Sequence, residues 1–239
     1  MTTHFSPEAL KFLRGLARNN DRAWFDPRKP IYEREIKAPM LALIAEINHA
    51  FLDFAPEHIR TPHKAMMRIY RDTRFATDKR PYKTNVAAWW VKAGLEKTSG
   101  AGFYFHVTAK EVVIAAGAYM PTGDQLLGIR RHIETHHQEL RRILANRKLK
   151  AAMEEFEPSS MKRVPRGFSA DSPAADLLMQ RRWGVSATLP AEAAIEPTLL
   201  KEIVKRFALV APLVDFLNAG IEVGAAKAKK YGESEFLVD

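Results

Sequence analysis

The segment Arg68 to Asn85 concentrates side chains able to hold or transform an anion: arginines at 68, 71, 74 and 80, Asp72 and Asp78, Lys79 and Lys83, and Tyr70 and Tyr82. A guanidinium presents a planar fork that grips a carboxylate or a phosphate through two parallel hydrogen bonds. Arg68, Arg71, Arg74, Lys79 and Lys83 are therefore the expected ligand-binding cations. Asp72 and Asp78 would orient them or act as general bases. On a strand, Arg68 and Tyr70 share one face and Ile69 and Arg71 the other. An inward Arg71 must find a carboxylate or a bound anion, because a lone buried charge is costly. Two carboxylates beside phosphate oxygens would also suit magnesium, although arginines compete for the same oxygens. The cofactor is left open.

Two other readings fit the same residues. Aromatic and basic side chains interleaved in one segment stack on bases and neutralise phosphates, as in a nucleic-acid-binding module. Alternatively, arginines, aspartates and tyrosines form a closed network that only locks a long irregular loop, giving a structural or interaction protein.

Further candidates lie downstream. Tyr104 and His106 sit two apart in a β-rich run and share one face, where His106 could act as acid or base. Lys162-Arg163-Val164-Pro165-Arg166-Gly167 is a basic loop suited to covering a site formed elsewhere. Arg166 is expected beside Arg71 and Lys79, merging two basic regions into one anion pocket. His132 and His136 have a spacing that permits a metal, but no glutamate follows the first histidine, and a solvated helix face is the expected reading. No metal site is assigned. Phosphate-binding glycine loops, nucleophile-elbow and dinucleotide fingerprints are absent from the sequence.

The charge distribution supports an anionic partner. The chain of 239 residues carries a net charge of +9. Lys64 to Lys83 contains seven basic and two acidic residues, and Arg141 to Arg166 eight and three. Outside these windows the charges nearly cancel. An anionic small molecule is the expected partner, with nucleic acid as the alternative. No apolar run approaches membrane-spanning length, so no membrane partner is expected. The first ten residues lack the pattern of a secretory signal. With no cysteine to report a redox compartment, a cytoplasmic setting is the default.

The elements that must position these residues follow from periodicity. Ser6-Pro7-Glu8 starts a helix, and Asn19-Asn20-Asp21 ends it. Ile36, Met40, Leu43, Ile44, Ile47 and Phe51 recur at helical spacing across Tyr32 to Phe54, with Pro39 as a kink or start. Ala65 to Tyr70 and Val86 to Val91 read as strands. Phe103 to Thr108 and Glu111 to Ala116 form a hairpin around Ala109-Lys110, although the turn lacks asparagine-glycine chemistry. Leu126 to Leu144 and Thr198 to Leu217 are helical, and Trp183 to Leu189 returns as a strand. The expected class is α+β, a central antiparallel sheet with helices from both ends of the chain packed on it. Residues 1–220 would form one domain and 221–239 a flexible tail.

The central block resembles the signature of a widespread bacterial and fungal family catalogued as a domain of unknown function. That signature runs R-I-Y-R-D-x-R-F and then D-K-x-P-Y-K, here Arg68 to Phe75 and Asp78 to Lys83. Met67 stands where the family has phenylalanine. Asn19 to Phe25, Gly102 to His106, Ala116 to Pro121, Ile129-Arg130 and Lys162 to Phe168 are similar to further family motifs, with Met161 in place of the usual leucine. The resemblance covers about residues 5 to 220 and implies a single domain, but no activity, substrate or cofactor. The residues themselves point to a basic pocket for a phosphate- or carboxylate-bearing ligand. Phosphoester or nucleotide chemistry is the best class if it is an enzyme.

Overall fold

The structure, a computed structural model, describes residues 3–95 and 100–234. Pro7–Arg18 (α1) begins where expected: the Ser6 hydroxyl accepts from the Ala9 amide at 3.2 Å, and Pro7 occupies the first turn. Arg22–Phe25 (α2) is capped by Asp21, which accepts from the Trp24 amide at 2.8 Å. Lys29–Ile31 (α3) leads into a π-helical stretch, Tyr32–Lys37, and that into Ala38–Phe54 (α4). The widened turns answer the question raised by Pro39. Proline has no N–H for the carbonyl four residues back, and its ring crowds that carbonyl. Shifting the preceding hydrogen bonds to five-residue spacing, as in Ala38 N–H to Glu33, lets the helix continue. The expected stripe from Ile36 to Phe51 is buried.

Pro62–Ala65 (α5) occupies the start of the segment expected as a strand. The rest of that segment is an irregular arm. Met66 pairs with Ala88 and Tyr70 with Tyr82 as isolated antiparallel bridges. The departure has local causes. Pro81 cannot donate to a ladder, and Asp72 and Asp78 each accept the amide two residues on, at Arg74 and Arg80, which bends the chain into turns.

The strands are Asn85–Val91 (β1), Gly102–Thr108 (β2) and Glu111–Ala118 (β3). The β2–β3 turn is made by Thr108, whose hydroxyl accepts from the Lys110 and Glu111 amides at 3.0 Å each. Gly123–Leu144 (α6), Arg147–Ala152 (α7), Glu154–Glu155 (β4), Ala175–Leu178 (α8), Trp183–Pro190 (β5) and Leu199–Ser234 (α9) complete the chain. The antiparallel sheet has the order β1-β2-β3-β5-β4, with helices before and after it in sequence, so the class is α+β. β4 pairs Glu154 with Ser186 and Glu155 with Val185. Helix α9 carries on to residue 234, through most of the stretch expected as a tail, and residues 235–239 lie outside the described part. Among the described residues no helix is long and apolar enough to cross a membrane.

The chain groups into two compact units. The first comprises residues 1–90, 104–114 and 187–208, and the second residues 91–103, 115–186 and 209–239. In the first, Phe51, Trp90 and Phe207 meet with ring centroids 5.7 to 5.9 Å apart. The Trp90 indole donates to Asn48 at 3.0 Å, so its polar atom is satisfied inside the core. In the second, Ile129, Ile133 and Leu140 of α6 and Val210, Leu213 and Leu217 of α9 are buried. Gly220 lets α9 approach α6 closely, since a β-carbon there would lie 2.9 Å from the Ile129 Cα. Asn218 is buried and exchanges two hydrogen bonds with the Ala101 backbone.

Candidate functional site

The arm of the first unit gathers most of the residues expected to carry chemistry. Its base is an aromatic cluster. The Tyr82 ring stacks on Phe25 at 4.1 Å, Tyr70 lies 5.5 Å from Tyr82, and Tyr32 lies 5.5 Å from Phe25. Asn20 fixes this geometry: its side chain donates to the Tyr82 carbonyl and accepts from the Tyr82 amide, both at 3.0 Å. The amide thus stands in for a neighbouring strand where the arm has none. Trp24 packs over Gly15, where a β-carbon would lie 2.5 Å from the indole, and is a packing anchor.

Beyond the Tyr70–Tyr82 bridge both carboxylates of the loop are held by its own arginines. Arg71 donates to Asp78 at 2.6 Å, and Arg80 grips the same carboxylate at 2.7 Å. Arg74 forks onto Asp72 at 3.0 and 2.8 Å, and Lys79 donates to the Thr73 carbonyl at 3.0 Å. The Arg80 bonds, then Arg71, hold the Asp78 carboxyl far below the usual range, and Arg74 lowers Asp72. Carboxylates so held are ionised, weakly basic and already coordinated, a poor fit to a general base or to a magnesium ligand. Among the described residues no group of three or more histidines, cysteines, aspartates or glutamates is placed to hold a metal.

Arg68 and Tyr70 point elsewhere. They line a pocket of about 240 Å³ with Phe25, Met66, Met67 and Ile69 as walls and Lys29, Lys37 and His63 as further basic groups. Tyr32 and Glu33 come from the π-helical turns, which are frequent at functional sites. Lys37 is paired with Glu33 at 2.7 Å, whereas Lys29 makes no side-chain ion pair or hydrogen bond among the described residues. Tyr32 is only 7% exposed and its hydroxyl has no hydrogen-bond partner among the described residues. Burial, with smaller contributions from Glu33 and Tyr70, pushes its pKa up to about 12, so it is a proton-bearing donor at neutral pH.

Residues 8–216 match the model of a family described as a conserved hypothetical protein, DUF2461. The chain belongs to the DUF2461 family. The matched stretch includes the arm, the pocket residues and segments of both units. No curated protein matches the chain.

His106 belongs to a different cluster of the first unit. Its Nδ1 lies 3.0 Å from the Tyr104 hydroxyl, and its Nε2 lies 4.0 Å from Glu111. Tyr104 and His106 do share one face of β2, as the alternation implies. Burial lowers the histidine pKa, against a smaller opposing effect of Glu111, so the ring favours its neutral form. Arg166 lies in the second unit, exposed, in the turn before Gly167, whereas Arg71 and Lys79 belong to the first. Lys29, Tyr32, Glu33, Lys37 and His63 escaped the sequence reading because nothing but the fold brings them to Arg68. The one sequence hint was His63-Lys64 at the edge of the basic window.

Proposed function

We propose that the pocket beneath the arm binds a small ligand bearing a carboxylate or phosphate and an apolar, planar body. The observation that carries this reading is that Arg68, Lys29 and Tyr32, a largely buried side chain whose hydroxyl has no protein partner among the described residues, line one pocket with aromatic and thioether walls. A hydroxyl donor and two cations lining one small pocket together offer an anionic group its partners. Phe25, Tyr70, Met66 and Met67 would enclose the ligand body, and Arg68, Lys29 and Tyr32 would hold its anionic end. A free phosphate or a sugar phosphate would leave the aromatic and thioether walls unused, so an anion with an unsaturated or aromatic body fits better. Should the protein act on its ligand, the same cations would stabilise charge developing on phosphoryl or carboxyl oxygens. A cytoplasmic setting belongs to the same proposal.

Thermal shift and calorimetry with a panel of aromatic carboxylates, aryl phosphates and nucleotides test this. A ligand that binds the native state raises the melting temperature. Arg68→Ala should abolish the shift, and Tyr32→Phe should weaken binding roughly tenfold, the effect of losing one hydrogen bond to a charged acceptor. Arg71→Ala should leave affinity largely intact, because Arg71 serves Asp78. Loss of binding in Arg71→Ala with retention in Arg68→Ala would reject this pocket as the site.

A further inference from the structure

The tip of the arm presents an aromatic side chain that the pocket does not use. Phe75 is 95% exposed, the most exposed of the large hydrophobic residues described. Its neighbours Ala76 and Thr77 offer no apolar shelter, so burial within the fold does not account for it. The loop carrying it is stiffened on both sides, by the Asp72–Arg74 fork before and the Asp78 pairs with Arg71 and Arg80 after. Lys79 ties the two limbs together through the Thr73 carbonyl. Holding the loop in this way lowers the ordering cost of presenting the ring to a partner.

We propose that this loop is a docking finger for single-stranded nucleic acid, with Phe75 as the base-stacking platform. The Arg74 guanidinium lies 5.9 Å from the Phe75 ring centre, giving a cation on one side of the ring and open space for a base. From Arg71 to Arg80 there are four basic residues and two aspartates, so positive charge remains after both aspartates are paired. That surplus suits phosphates flanking a stacked base. One isolated phenyl ring matches the area of a single base, and every base has a face to stack. A duplex keeps its bases stacked on one another, so the finger selects unpaired strands. A membrane surface fits less well, because a lone phenylalanine adds little apolar area and two aspartates flank it.

The test is fluorescence anisotropy of the full-length protein with labelled oligothymidylate and oligouridylate of about 12 nucleotides, a length within the usual site range. A duplex of equal length and anionic phosphatidylserine vesicles complete the probes, at about 50 and 200 mM salt. The single strands should bind with a salt-dependent affinity, preferred over duplex. Phe75→Ala should weaken them roughly tenfold while leaving the melting temperature unchanged, since the ring makes no core contact. Phe75→Trp should restore binding and show added fluorescence quenching by the oligonucleotide. Absence of binding, equal binding by Phe75→Ala, or equal affinity for duplex would each overturn the proposal. So would vesicle binding lost in Phe75→Ala without any oligonucleotide binding, which would reassign the finger to a membrane surface.

Discussion

At the scale of single residues, the arm depends on one amide. Asn20 satisfies both backbone groups of Tyr82, and Tyr82 in turn stacks on Phe25 at the wall of the pocket. Truncating Asn20 leaves a buried N–H and C=O without partners, at about 1–3 kcal/mol for each group left unsatisfied. Asn20→Ala should therefore lower stability by roughly 2–6 kcal/mol on that basis, read as a shift in the urea midpoint. Asn20→Asp separates geometry from polarity. It keeps the acceptor for the Tyr82 amide but replaces the donor with a carboxylate oxygen facing a carbonyl, so it should recover none of the loss. A variant as stable as wild type would show that the clamp is incidental. The charged residues follow a different logic. The Asp72 and Asp78 pairs are exposed, and exposed pairs contribute little to stability. Their role is to give the loop one shape.

At the scale of elements, the β2–β3 hairpin couples proton binding to folding. His106 on β2 is held neutral by burial, between Tyr104 and Glu111. The unfolded chain takes up a proton near pH 6.5 that the folded chain resists. Between the ordinary histidine pKa and the lower folded value, the unfolded state binds more protons, so stability falls as the pH falls. Melting temperatures from pH 7.5 to 5 should decline for wild type and decline less for His106→Gln, to about the extent of one shifted histidine. Parallel curves for the two proteins would remove His106 from the account. How far the elements could be read from sequence depended on whether one signal dominated locally. The stripe from Ile36 to Phe51 has a strong helical period and is buried as read. Tyr104 and His106 alternate as a strand demands. Ala65 to Tyr70 misled because its β-prone residues meet Pro81 and two aspartates across the arm, and these supply turns instead of a ladder. β4 had no signal at all, since Glu154 and Glu155 pair as strand through backbone alone. The pocket was half legible: Arg68 and Tyr70 stood out by type, but Lys29, Tyr32 and Lys37 looked like an ordinary helix start. Nothing in a helical period announces the π turns that set Tyr32 and Glu33 against the arm.

At the scale of the whole molecule, an apolar core must also tolerate a buried charge. In the second unit this is Arg130, 7% exposed, which donates to the Leu178 and Gln180 carbonyls at 2.8 and 2.9 Å and touches the Met161 sulfur. No carboxylate is among these partners, and burial lowers its pKa. The guanidinium thus satisfies carbonyls at the end of α8 and ties the 159–181 segment to α6. Arg130→Met keeps the aliphatic stem but strands two carbonyls. It should cost about 2–4 kcal/mol by that mechanism and speed amide hydrogen exchange through residues 159–181 more than in α1 or α4. Uniform exchange across both units would indicate a global defect instead of a local tie.

The pocket wall also has a chemical lifetime. With no cysteine in the chain, thiol chemistry cannot report or buffer oxidative stress. Met66 and Met67, half-buried, bring two oxidisable thioethers to the cavity wall. Conversion to sulfoxide would turn a soft apolar surface into a polar, chiral one. Peroxide would thus change the cavity wall while leaving the arm's ion pairs in place, and methionine sulfoxide reductases would be the route back.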